Sequence, residues 1–144
     1  MPERVPSVPD GPFTGAAATR VYVVYAINGN ATSPTSAKDY ATVAGQLFHD
    51  ATITANQTVI AAQHIVDLRH AVDAVRAALG TTAATWLDPL TFISVNSVQE
   101  VRDRLNEARN LPNVNLGNYP YSSSIGSHNP ILKTQMDENR EAVK

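Results

Sequence analysis

The stretch QHIVDLRHAVDAVR, residues 63–76, decides how this chain folds. Its 14 positions hold two histidines, two aspartates and two arginines. Such a density of charge belongs either to a reactive site or to one face of a structural helix. The apolar residues settle the local geometry first. Ile65, Leu68, Val72, Val75 and Leu79 fall at i, i+3, i+7, i+10 and i+14, which is one narrow stripe along a helix. Gly80 follows as a C-terminal stop.

The pattern recurs twice downstream. A second helix fits Phe92 to about Arg109, with Val95, Val98, Val101, Leu105 and Ala108 on one face and Pro112 beyond its end. A third begins at Asn129-Pro130, a side-chain cap followed by proline at the first helical position, and runs to the C-terminus. Superposed, the three units start at Thr58, Thr91 and Asn129, each followed two positions later by Ile60, Ile93 or Ile131. Next come Ile65, Val98 and Met136; then the acids Asp67, Glu100 and Glu138; then Arg69, Arg102 and Arg140. Leu68 and Val101 stand between acid and arginine, and Val72, Leu105 and Val143 close each unit. The helices are offset by 33 and then 38 positions. An aromatic precedes each unit, at Phe48, Trp86 and Tyr119, and the first two are followed by Asp50 and Asp88.

Recurrence argues for packing. A repeat must keep the residues that join its units, whereas a catalytic group need not appear three times. An acid and an arginine two apart diverge by about 200° around a helix, so they do not pair within a unit. Arg69 lies beside the stripe, where its stem covers the core edge. The expected partner is a loop carboxylate, Asp50 or Asp88. The histidines are less regular. His64 flanks the stripe and is replaced by Ser97 and Gln135, while His70 points away with Gln63 and Asp67. One exposed histidine and one carboxylate make a poor metal site, so neither metal nor cofactor is expected. Ser122-Ser123-Ser124 near His128 lies in a Ser-rich loop rather than a nucleophile motif.

Upstream the chain changes character. Residues 1–19 read as a Pro-rich extended arm. RVYVVYAINGN, residues 20–30, is rich in β-branched and aromatic residues and ends at Asn28-Gly29, a turn pair. With KDYATV, residues 38–43, it suggests a β-hairpin whose Val21, Val23, Tyr25 and Ile27 form an interaction edge. The fold expected is therefore α+β: a Pro-rich arm and β-hairpin over residues 1–45, then three repeated short α-helices packed as a small bundle over 46–144.

Composition narrows function. The net charge is -2, with no basic run to bind a nucleic-acid backbone. No apolar run reaches the ~18 residues of a membrane span. The absence of cysteine removes thiol nucleophiles, disulfides and Cys-ligated zinc. No GxSxG, HExxH or Gly-rich phosphate loop is present, and no enzymatic activity is expected.

VIAAQHIVDLRHAVDAVRAALG followed by WLDPLT and a further helix of the same type resembles a tandem helical repeat of exported bacterial proteins. That repeat reads roughly D-P-x-L-T, then I-x-A-x-H-I-x-E-L-R-x-A-V, and sits C-terminal to fibronectin type III modules. The first unit matches at Ile60, His64, Ile65, Asp67, Leu68, Arg69, Ala71 and Val72, and the match weakens through the second and third. TRVYVVYAINGNATSPTSAKDYATV is similar to the last strands of a fibronectin type III domain. The resemblance implies a non-enzymatic assembly or interaction module of a bacterial surface protein or extracellular filament, in mature or trimmed form. Self-association or contact with neighbouring subunits, through the strand edge and the arm, is the expected partnership. The alternative is a phage virion subunit: a fibre, decoration or connector protein.

Overall fold

A computed structural model describes residues 19–22, 27–28, 31–33, 39–42, 48–126 and 130–144. Three helices make the body: α1 (Ala62–Ala78), α2 (Val95–Arg109) and α3 (Lys133–Ala142). The α+β class with a β-hairpin and partial fibronectin-like sandwich is not the fold. From residue 48 onward, the described chain holds three helices and no strand or sheet. Among the described residues upstream, the backbone pairs antiparallel over Thr19–Tyr22 with Asp39–Thr42 and over Ile27–Asn28 with Ala31–Thr32. Pairings of four and two residues make only short two-stranded ladders, too small to set the fold class. The β-branched run expressed a local preference, and the apolar core came from the helical stripes instead. Val23 and Tyr25 lie outside the described residues, as do the side chains of Val21 and Ile27.

Each helix begins three residues later than the caps at Thr58, Thr91 and Asn129 implied. The N-caps are Ala61, Ser94 and Leu132, all with extended backbone. This places Ile60, Ile93 and Ile131 just outside the helix and Ile65, Val98 and Met136 at its fourth position. Those are the two places of a hydrophobic staple, which fixes the angle at which chain enters helix. All three isoleucines are partly buried against the core. α1 ends in a Schellman pair: Thr81 N–H donates to the Arg76 carbonyl at 2.9 Å and Gly80 N–H to that of Ala77 at 3.0 Å. Gly80 takes a φ of 81°, which an L side chain adopts poorly.

The core is shared by all three helices. α1 supplies Ile65, Leu68, Ala71, Val72 and Val75, with Leu79 at its end; α2 supplies Val98, Val101, Leu105 and Ala108. Met136 and Ala142 come from α3, with Val143 at its end, while Ile53 and Val114 fold in from loops. Each large aliphatic chain so buried contributes about 1.5–3 kcal/mol. At the level of Leu68 and Val101 the third unit carries Asn139, which is 0% exposed.

Candidate functional site

The repeated acid, arginine and aromatic form a clamp between consecutive units. Arg69 of α1 reaches across to the second unit. Its Nη2 donates to Glu100 Oε2 at 2.9 Å and to the Asp88 carbonyl at 2.7 Å, and its guanidinium lies 5.0 Å from the centre of the Trp86 ring. Arg102 of α2 does the same to the third unit. Its Nη2 donates to Glu138 Oε2 at 3.0 Å and to Ser123 Oγ at 2.9 Å, and its Nη1 to the Ser123 carbonyl at 2.7 Å. Its guanidinium lies 4.0 Å from the Tyr121 ring centre. The partner of Arg69 is therefore the recurring acid of the next unit, not a loop carboxylate. The third aromatic is Tyr121 rather than Tyr119, which sets Ser123 in the place of Asp50 and Asp88.

Each acid also gathers its own loop. Asp67 accepts from His49 N–H at 2.6 Å, Glu100 from Leu87 N–H at 2.5 Å and Asp88 N–H at 3.3 Å, and Glu138 from the backbone amides of Ser122 and Ser123, both at 3.0 Å. One carboxylate thus ties a loop to its helix and, in the second and third units, to the previous arginine.

His64, Ser97 and Gln135 occupy the third position of their helices and perform one task in three chemistries. Each accepts the N–H of its N-cap: Ala61 to His64 Nδ1 at 2.9 Å, Ser94 to Ser97 Oγ at 3.1 Å, Leu132 to Gln135 Oε1 at 3.0 Å. Each also donates into the preceding loop, His64 Nε2 to Asp50 Oδ2 at 2.8 Å, Ser97 Oγ to Asp88, and Gln135 Nε2 to the Ser124 carbonyl at 2.9 Å. With Nδ1 accepting, the hydrogen of neutral His64 sits on Nε2. The available signal was that all three residue types both accept and donate.

A second pair of repeats fixes the linkers. Asp73 accepts Ala84 N–H at 2.7 Å and Trp86 Nε1–H at 3.1 Å, and Asn106, 33 positions on, accepts Tyr119 N–H at 2.9 Å. Arg76 Nε donates to the Thr82 carbonyl and Arg109 Nε to that of Gly117, both at 2.9 Å. Trp86 thereby arrives in register under Arg69, and Asn106 holds Tyr119 two positions before the Tyr121 that Arg102 covers.

The third clamp closes the ring of units but is incomplete. The Arg140 guanidinium lies 4.7 Å from the Phe48 ring centre, so the last unit returns to the first. Its Nη2 and Nε have no hydrogen-bond partner, although the residue is only 6% exposed. Arg69 and Arg102 also leave Nε unpaired, but their Nη2 is the atom that holds the acid. Asp67 is one methylene shorter than Glu100 and Glu138. Its two oxygens already serve His49 N–H and, at 2.7 Å, Gln63 Nε2.

Electrostatics follow these contacts. Burial opposes the charge on Glu138, but the Ser122 and Ser123 hydroxyls and amides outweigh it and hold its carboxyl at about 2. The Ser97 hydroxyl lowers the carboxyl of Asp88, helped against burial by the Leu90 amide and Arg69. Burial lowers both Arg102 and Arg140; Tyr121 and Glu138 support the charge of the first, Asp137, Asp50 and Asp67 that of the second.

Among the described residues, the following polar side chains are engaged with one another or lie apart. An open hollow of about 560 Å³ beside α2 is lined by Leu87, Asp88, Glu100, Asp103, Arg104 and Glu107, among others. Asp88 and Glu100 belong to the clamp, Asp103 binds Gln99, and Glu107 binds Arg76 and Arg104. The hydroxyls of Ser122 and Ser123 donate to Glu138, and His128 lies outside the described residues. His70 and His49 are exposed. Among the described residues no group of three or more His, Asp or Glu side chains is placed to hold a metal ion, and no helix is long and apolar enough to cross a membrane. No family model, curated protein or solved structure matches the chain.

Proposed function

We propose that this chain is a non-enzymatic structural or interaction module of an exported bacterial surface protein or extracellular filament. One observation carries the reading. All but His70 of the residues that made QHIVDLRHAVDAVR look reactive are joined into contacts that hold the loops and helices together. His64 caps a helix, Asp67 ties a loop, Arg69 clamps the next unit, and Asp73 and Arg76 fix the linker. The resemblance of Ile60 to Val72 to the exported helical repeat supports the location proposed. Neighbouring subunits, met through residues 1–45, are the partners this reading expects.

Light scattering of the whole chain across a dilution series tests this. A multimer that persists on dilution, and that becomes monomeric when residues 1–45 are removed, is the expected result. A monomer at every concentration overturns self-assembly through that segment.

A further inference from the structure

We infer that the ring of three units opens at one seam, between the third unit and the first, so that α3 detaches from the α1 side while the first two units stay folded together. The comparison is internal. Three seams share one design, and two of them are complete. The guanidinium at the third keeps the stacking partner, Phe48, and loses the pairing of Nη2. A buried donor without a partner weakens a contact, because its water is removed and not replaced.

The weakness is concentrated on α3. Asn139 adjoins Arg140 and takes the core level filled by Leu68 and Val101 in the other units. Its Nδ2 donates to the Gln135 carbonyl at 2.9 Å within its own helix, and its Oδ1 is buried without a partner. Opening the seam returns Arg140 and Asn139 to water together. The joint between units two and three resists, because Arg102 Nη2 holds Glu138 and that carboxylate also binds the Ser122 and Ser123 amides. This inference rests on the seams alone and holds whether or not the chain assembles with its own copies.

Native-state hydrogen exchange on the full chain tests it. Amides within α3 should exchange roughly tenfold or more faster than those in the middle of α1 and α2. Fraying of a terminal helix would give that difference too, so two variants decide. Asp67→Glu, on α1, lengthens the acid toward Arg140 and should slow α3 exchange selectively. Asn139→Leu, which removes the orphaned carbonyl, should do the same from the other side. The inference is overturned if α3 opens only with the whole molecule, or if neither variant slows α3 more than α2.

Discussion

Arg102 and Glu138 meet at 3.0 Å across 36 positions of sequence, and the same carboxylate binds two backbone amides of the loop before α3. Both side chains are largely buried, so removing one leaves the other without its charge partner. Glu138→Gln should cost about 3 kcal/mol, read as a lower urea midpoint at neutral pH with an unchanged slope. A midpoint within about 0.5 kcal/mol of the parent would show that the clamp holds nothing.

Glu138 also sets an acid limit on stability. Its folded carboxyl sits at about 2, below the 4.5 of a free side chain. A group depressed on folding stabilises fully above its unfolded value and loses that contribution as pH falls toward the folded one. Stability should therefore decline between about pH 4.5 and pH 2, and Glu138→Gln should flatten that part of the curve. Denaturant titrations at stepped pH measure both; parallel curves for the two proteins would sink the assignment.

Arg69 and His70 are neighbours in sequence with opposite consequences. Arg69→Ala removes the bond to Glu100, the bond to the Asp88 carbonyl and the stacking on Trp86, for about 2–3 kcal/mol. His70 is exposed, and His70→Ala should stay within about 0.5 kcal/mol. Equal melting temperatures for the two variants would contradict the clamp.

Sequence periodicity revealed the stripes, because Ile65, Leu68, Val72, Val75 and Leu79 follow the helical repeat without interruption. Superposing the units also brought out the acid and arginine as a unit-to-unit signature. It could not pair them. Acid and arginine diverge within a helix, and only the cyclic arrangement shows that Arg69 reaches the acid 31 positions ahead. Tyr121 was missed because Tyr119 stands nearby and the loop before α3 differs in length. The helix starts were misplaced because threonine and asparagine cap helices so often. Here the N3 side chains of His64, Ser97 and Gln135 satisfy the N-cap amide instead. The hairpin expectation failed for a different reason. β-branched composition measures local preference, and the buried surface that decides the fold class lay in the helices.

Leu68 is 0% exposed at the centre of the stripe. Leu68→Ala should cost about 3 kcal/mol through lost burial and an unfilled cavity. Leu68→Asp places an unpaired charge there and should abolish the helical signal in circular dichroism at ordinary temperature. A folded Leu68→Asp protein would mean that α1 presents another face to the core.

His64 offers the sharpest separation of shape from chemistry. Its task is to accept the Ala61 N–H and to donate to Asp50, and Gln135 does the equivalent with a carboxamide. His64→Gln should therefore be tolerated within about 1 kcal/mol. His64→Leu keeps the bulk but leaves the Ala61 amide and the Asp50 carboxylate without their partner, and should cost about 1–3 kcal/mol. Thermal melts of both variants at pH 7 give the comparison. If the leucine variant proved as stable as the glutamine variant, His64 would be filling space rather than joining loop to helix, and the equivalence of His64, Ser97 and Gln135 would fall with it.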